Sequence, residues 1–319
     1  TAVTEKLHQY YPDATIHFLL RKGNEGLLDG HPYISEVIVW DKKQGKMANL
    51  AKIISRVRSN QYTHVINLHR FASSGIITAL SGAPYTAGFH KNPLSRLFTL
   101  RVAHQINTLP SEVPVHETSR NQLLIAGITD ALPALPVLYP TAAHWASVAG
   151  YKAIGPYVCV APSSVWFTKQ FPAHKWVQLI RDIPPAFHVY LIGGPGDEEN
   201  AQAIITAGGR AGVTSLCGKL SYLSSAALMQ GAVMNYANDS APLHFASAIN
   251  APLTAVFCST IPAFGFGPLR AEARVVETTE PMPCRPCGLH GHRQCPEGHF
   301  NCANSITNQQ LLWWTLNKT

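Results

Sequence analysis

Strand-like apolar runs alternate with stretches of helical period twice along this chain. Such alternation admits few architectures other than parallel sheets joined by crossover helices. In the first half, residues 16–20, 37–40 and 64–68 read as strands. Between the last two, Met47, Leu50, Ile53, Ile54 and Val57 recur at helical spacing with Lys and Arg between them, as an amphipathic helix requires. A segment with Pro133, Pro136 and Pro140 interrupts the pattern, because proline fixes φ and removes a ladder donor. Beyond it the alternation resumes, with strands predicted at 157–160, 188–192, 233–236 and 253–257 and helices at 175–183, 198–207, 223–230 and 242–249. The chain therefore reads as α/β, with two Rossmann-like doubly wound domains over 1–140 and 141–305 and a terminal helix in 306–319. Ligands of such sheets sit at the carboxyl ends of the strands, which predicts domains facing across a cleft.

Composition narrows the class. At 319 residues the chain exceeds the roughly 250–300 at which a single core stops growing. Hydrophobic residues make up 46% and charged residues 13%, which excludes a disordered chain. Lys and Arg outnumber Asp and Glu by 25 to 18, and the net +7 favours anionic partners such as nucleotides or a phosphorylated membrane surface. No basic stripe with interleaved aromatics points to nucleic acid. No run of 18 apolar residues is uninterrupted, so no membrane-spanning helix is expected. The first residues carry no signal-peptide pattern and read as the middle of a helix. Seven Cys, four of them in one late cluster, fit a reducing cytoplasm better than a secreted disulfide framework.

Four segments carry chemistry. Residues 161–172 follow the predicted strand at 157–160, and there the hydroxyls of Ser163 and Ser164 and the ammonium of Lys169 are suited to an oxyanion. The alternative is a solvated loop cation with Trp166 and Phe167 covering the core. Asn238-Asp239-Ser240-Ala241-Pro242-Leu243-His244 stands between a strand and an apolar helix. A helix start of this type offers free N–H groups and partial positive charge to a diphosphate, with His244 one turn in and Asp239 able to accept from sugar hydroxyls. The alternative is that Asp239 and Ser240 only cap the helix and that His244 is an interior histidine with its hydrogen bonds satisfied. Gly193-Gly194-Pro195-Gly196, before the acidic start Asp197-Glu198-Glu199, lacks the G-x-G-x-x-G fingerprint and reads as a ribose or base contact, or as a first turn complementing the helix dipole. Cys284, Cys287, Cys295 and Cys302 have a spacing compatible with zinc, with reduced structural thiols, with disulfides or with a redox pair.

Smaller features complete the pattern. Asn67-Leu68-His69-Arg70 ends a predicted strand, and Arg70 is either an acceptor contact or part of an exposed loop. Lys91, Arg96 and Arg101 form a basic acceptor or membrane patch, or a solvated face. Trp313 and Trp314 in the last helix read as a packing anchor.

Together these segments resemble the lipopolysaccharide heptosyltransferases, the inverting transferases of glycosyltransferase family 9 that use ADP-heptose. The resemblance runs through Tyr10-Tyr11-Pro12-Asp13-Ala14-Thr15-Ile16, Asn67-Leu68-His69, Gly88-Phe89, residues 163–172, Gly193-Gly194-Pro195 and, most specifically, Asn238-Asp239-Ser240-Ala241-Pro242-Leu243-His244-Phe245-Ala246. Cys295-Pro296-Glu297-Gly298-His299-Phe300-Asn301-Cys302 is similar to a stretch in part of the heptosyltransferase II-like branch, and is expected to be structural. The resemblance implies a GT-B architecture with the acceptor on the first domain, the donor on the second and the last helix crossing back. It implies a cytoplasmic enzyme, peripheral to the inner membrane, that needs no metal or cofactor and moves heptose from ADP-heptose to a lipid-anchored lipopolysaccharide core. By the same resemblance Lys169, Asp239, Ser240, Ala241 and His244 hold diphosphate and heptose, Ser163 and Ser164 flank them, Glu198 or Glu199 takes the ribose, and Leu220 lies against adenine. The family's general base is an Asp in a turn after a first strand, which would lie upstream of Thr1, so no catalytic base is assigned and preceding residues are expected. The rival expectations are a GT-B transferase with another nucleotide sugar and a dinucleotide-dependent oxidoreductase, the latter disfavoured by the missing fingerprint.

Overall fold

The computed structural model describes residues 1–43, 45–108, 115–270 and 272–316, without the side chains of Lys46 and residues 313–316. Two compact units divide between Val137 and Leu138, inside the proline-rich segment.

The first unit comprises Thr1–Ile106 and Val115–Val137. Its elements run α1 (Ala2–Tyr10), β1 (His17–Arg21), β2 (Glu36–Trp40), α2 (Lys46–Ser59), β3 (His64–Asn67), α3 (Ala72–Ala79), β4 (Tyr85–Phe89), β5 (Leu100–Val102) and α4 (Glu117–Gln122). All strand pairs are parallel, but they fall into two sheets, β1-β2 and β3-β4-β5. Leu50, Ile53 and Val57 of α2 pack with Ile38 and Trp40 of β2, as their spacing predicts. Met47 departs from that stripe: it sits in the first turn of α2, ahead of the packed face, and is exposed.

The second unit, from Leu138 onward, runs α5 (Ala142–Lys152), β6 (Tyr157–Ala161), α6 (Ala173–Asp182), β7 (His188–Leu191), α7 (Glu198–Gly208), β8 (Val213–Ser215), α8 (Tyr222–Gln230), β9 (Met234–Asn238), α9 (Ala241–Ala248), β10 (Leu253–Phe257), β11 (Ala273–Glu277), α10 (Asn301–Asn304) and α11 (Asn308–Leu316). Its six strands form one parallel sheet in the order β11-β10-β9-β6-β7-β8. One core lies on each face. Val158, Val160, Trp176, Ile180 and Ile204 belong to the first, and Tyr157, Cys159, Leu228, Leu243 and Phe257 to the second. Burial on both faces explains why these strands are continuous apolar runs. Leu311 of α11 joins the first of these cores and the helix packs on α6; the side chains of Trp313 and Trp314 lie outside the described residues.

The strand order fixes where a ligand can enter. Chain order reverses between β6 and β9, which are neighbours in the sheet, and such a reversal leaves a crevice at the strands' carboxyl ends. The segments after β6 and β9 are residues 162–172 and the start of α9.

Candidate functional site

Asn238, the last residue of β9, is fully buried and ties the two segments together. Its Oδ1 accepts from the Phe171 N–H at 2.9 Å, and its Nδ2 donates to the Pro162 carbonyl at 2.8 Å. Both ends of the loop carrying Ser163, Ser164 and Lys169 are thereby fastened to β9.

Lys169 and Asp239 meet. The Lys169 ammonium lies 2.7 Å from Asp239 Oδ2, with side chains 16% and 7% exposed. Thr260 Oγ1 donates to the same oxygen at 2.7 Å. The carboxylate thus aims the ammonium and still keeps Oδ1 without a hydrogen bond among the described residues. Asp239 does not cap α9, and neither does Ser240, whose hydroxyl donates weakly to the Asn238 carbonyl at 3.4 Å. The cap reading of these two side chains is set aside: Asp239 is drawn to the lysine, and the helix start is left without a side-chain acceptor. Ala241 is exposed there, and Pro242 needs no N–H partner.

His244 is partly buried, one turn in, and its ring has no hydrogen-bond partner among the described residues. Burial depresses its basicity; the Asp239 charge opposes that shift and the Lys169 charge adds to it. A neutral imidazole, an ammonium and an uncapped helix start therefore share one neighbourhood at the sheet's switch point. Such a set stabilises negative charge developing on a departing group.

The other expected residues stand as follows. Ser163 Oγ accepts from Asn200 Nδ2 at 3.3 Å, which connects the loop to α7. Ser164 accepts through its carbonyl from Gln170 Nε2 at 2.6 Å. Glu199 is exposed, whereas Glu198 accepts from the Ser215 hydroxyl and from Gln202 Nε2, contacts that hold its carboxyl below the usual range. Leu220 is half-buried against the second core. Gly193 and Gly194 leave room for Asp197, which accepts from the Gly194 N–H at 2.7 Å.

Residues that the sequence did not single out brace the lysine. Thr168 exchanges hydrogen bonds with His292, donating its N–H to the His292 carbonyl at 3.1 Å and accepting from the His292 N–H at 2.8 Å. Ser259 Oγ donates to Thr168 Oγ1 at 3.0 Å. Gly291 has φ +77°, and a Cβ there would lie 3.0 Å from Lys169 Cγ. Arg285 donates to the carbonyls of Cys258 and Thr260 past the end of β10, and pairs with Glu277. The cysteine-bearing segment thus packs against the loop. Its four cysteines are free thiols, and burial pushes Cys302 up to about 12. Among the described residues no group of His, Cys, Asp or Glu is arranged to hold a metal ion. The segments carrying Lys169 and Asp239 were each visible in the sequence, but neither their pairing nor these bracing contacts were, because they join residues distant in sequence.

A depression lined by Arg181, Pro185 and residues 208–212 lies near the amino end of β8. Its arginines are committed to backbone carbonyls, Arg181 to Gly208 and Arg210 to Ile180, Pro184 and Phe187. Among the described residues no helix is long and apolar enough to cross a membrane.

Known proteins share this organisation. Lipopolysaccharide heptosyltransferase 3 of Escherichia coli is 26% identical over 273 residues, 82% of this chain and 79% of that protein. Among solved structures, E. coli ADP-heptose LPS heptosyltransferase II aligns with a TM-score of 0.78 at 21% identity, covering 99% of this chain and 92% of that one. A family 9 glycosyl transferase from Veillonella parvula aligns at 0.81 with 18% identity, covering 99% and 91%. The model of glycosyltransferase family 9 (heptosyltransferase) matches residues 50–298. With its α/β fold of parallel sheets and these GT-B neighbours, the chain belongs to glycosyltransferase family 9, the heptosyltransferase family, and is a glycosyltransferase.

Proposed function

We propose that the chain transfers L-glycero-D-manno-heptose from ADP-heptose to the inner core of lipopolysaccharide, with inversion and without a metal, at the cytoplasmic face of the inner membrane. The observation that carries this reading is the Lys169 ammonium, held by Asp239 beside the uncapped start of α9. In an inverting transfer the acceptor oxygen attacks the anomeric carbon from the face opposite the diphosphate. The bond to ADP breaks with its electron pair leaving on the phosphate oxygen, and the hydroxyl proton passes to a base. Lys169, His244 and the helix start meet the departing charge, so the chain's own groups supply the stabilisation a metal would otherwise give. Asp239 Oδ1 accepts from a heptose hydroxyl, Ser163 and Ser164 flank the phosphates, Glu199 reaches the ribose and Leu220 lies against adenine. The second unit takes the donor and the first the acceptor.

Titration calorimetry with ADP and ADP-heptose tests the donor site. Lys169→Ala and His244→Ala should each weaken binding about tenfold or more. Unchanged affinity in both removes the assignment, and tighter binding of a UDP- or GDP-sugar replaces the donor. Turnover that persists in excess chelator supports metal independence, and the anomeric configuration of the product, read by NMR, decides inversion.

A further inference from the structure

Charge in this chain is segregated. Between Asp41 and Glu112 lie 70 residues with no Asp or Glu and ten Lys or Arg. The remainder carries 15 Lys or Arg against 18 Asp or Glu, so the positive excess belongs to this one segment.

The first unit brings three of those cations to one rim. β3 and β4 are parallel, with Asn67 opposite Gly88, so the loops that follow them leave at the same end. Asn92, 1% exposed, fastens the two loops together. Its Nδ2 donates to the carbonyls of His69 and Phe71, at 3.1 Å each, and its Oδ1 accepts from the Leu94 N–H at 3.0 Å. Ser95 Oγ donates to the His90 carbonyl at 3.0 Å. Phe98 closes the loop from beneath, against Gly88, where a Cβ would lie 2.6 Å from its ring. This braced rim exposes two large apolar side chains, Phe71 and Leu97, each 67% accessible. Beside them in the same loops are Arg70, Lys91 and Arg96, which have neither a carboxylate nor a hydrogen-bond partner among the described residues.

A site built for one soluble phosphate would enclose its cations, whereas Lys91 and Arg96 are exposed and interleaved with apolar tips. That combination suits a planar anionic interface, where apolar groups enter the headgroup-acyl boundary and basic groups meet headgroup phosphates. We infer that the rim of Phe71, Leu97, Arg70, Lys91 and Arg96 is a docking surface for an anionic lipid bilayer. This role rests on the proposed transfer to a lipid-linked acceptor, because it brings the first unit to the surface from which such an acceptor projects.

Co-sedimentation of the full chain with phosphatidylcholine vesicles, with and without phosphatidylglycerol, tests this. Binding is expected only with the anionic lipid and should weaken roughly tenfold between low salt and about 0.3 M salt. The double variants Lys91→Glu/Arg96→Glu and Phe71→Ser/Leu97→Ser should each lose about tenfold or more in vesicle affinity. Unchanged ADP affinity in the same preparations certifies that both variants are folded. Equal binding to neutral vesicles, or either double variant binding like the parent chain, overturns the proposal. Vesicle binding in a chain that takes no nucleotide sugar upholds the rim and refutes the proposed function; the opposite pair of results refutes the rim alone.

Discussion

β6, β9 and β10 of the second unit are buried along their whole length, while every strand of the first unit has partly exposed positions. One continuous sheet with a core on each face gives the second unit a rigid floor for its switch point. Charge is handled differently as well. Lys169 is paired and largely buried, whereas Lys91 and Arg96 stand in solvent beside a half-buried Arg70. A partnered, half-enclosed cation is screened little by salt and suits one ligand in one pose. Exposed cations are screened within about a Debye length and suit a diffuse anionic surface. ADP affinity should therefore depend weakly on ionic strength and vesicle affinity strongly, a contrast that one salt series on the same preparation checks.

Each unit uses one buried asparagine as a clamp, and deleting it separates the two sites. Asn238→Ala leaves the Phe171 N–H and the Pro162 carbonyl without partners in a fully buried setting. We expect a loss of about 3 kcal/mol in denaturant unfolding, with a marked fall in ADP affinity and little change in vesicle binding of the folded fraction. Asn92→Ala frees the His69 and Phe71 carbonyls in loops that water can reach, so about 1–2 kcal/mol is expected, with weakened vesicle binding and intact ADP affinity. If either variant impairs both ligands equally, the two sites are not independent.

The sequence disclosed these regions unequally. Both faces of the second sheet are covered, so its strands are uninterrupted apolar runs, and β10 was predicted at its observed bounds. Edge strands β5, β8 and β11, with β4 beside the first, escaped, because Thr86, Arg101, Thr214 and Arg274 break up their apolar runs. At the site, residues 238–244 announced a helix start, but cap chemistry alone gave the wrong partner for Asp239. The competing lysine lies 70 positions upstream, and only the fold brings it within 2.7 Å. Thr168, Thr260, Arg285 and Gly291 were silent because their roles exist only through neighbours distant in sequence.

His244 sharpens the contrast through pH. Its folded pKa lies below the ordinary 6.5, first because of burial, so the unfolded chain binds the proton more readily. Stability from this group is full above about pH 6.5 and declines as pH falls. A bound diphosphate acts in the opposite direction, raising the imidazole's affinity for a proton. ADP should therefore bind more tightly, by roughly fivefold, as pH falls from the value in the complex toward the depressed value of the free protein. Calorimetry across that window should show the slope, and His244→Gln should flatten it. A slope that survives in the variant assigns the proton elsewhere.

The smallest expected effect lies in the first unit, where Asp130 anchors α1. Its carboxylate accepts from Tyr10 Oη at 2.6 Å and pairs with the Lys6 ammonium at 2.9 Å. The Tyr10 hydrogen bond, followed by that of Lys6, lowers its pKa from 3.8 to about 2. A carboxylate with a depressed folded pKa stabilises fully above its unfolded value and ceases to do so as pH falls through the folded one, so this contribution disappears between about pH 4 and 2. Lys6 is largely buried, but solvent reaches the Asp130 carboxylate and screens it, and the change should be slight. Denaturation midpoints for Asp130→Asn should lie just below those of the parent chain at neutral pH and converge with them toward pH 2. Parallel curves across the whole range would mean that packing, rather than charge, holds α1 in place.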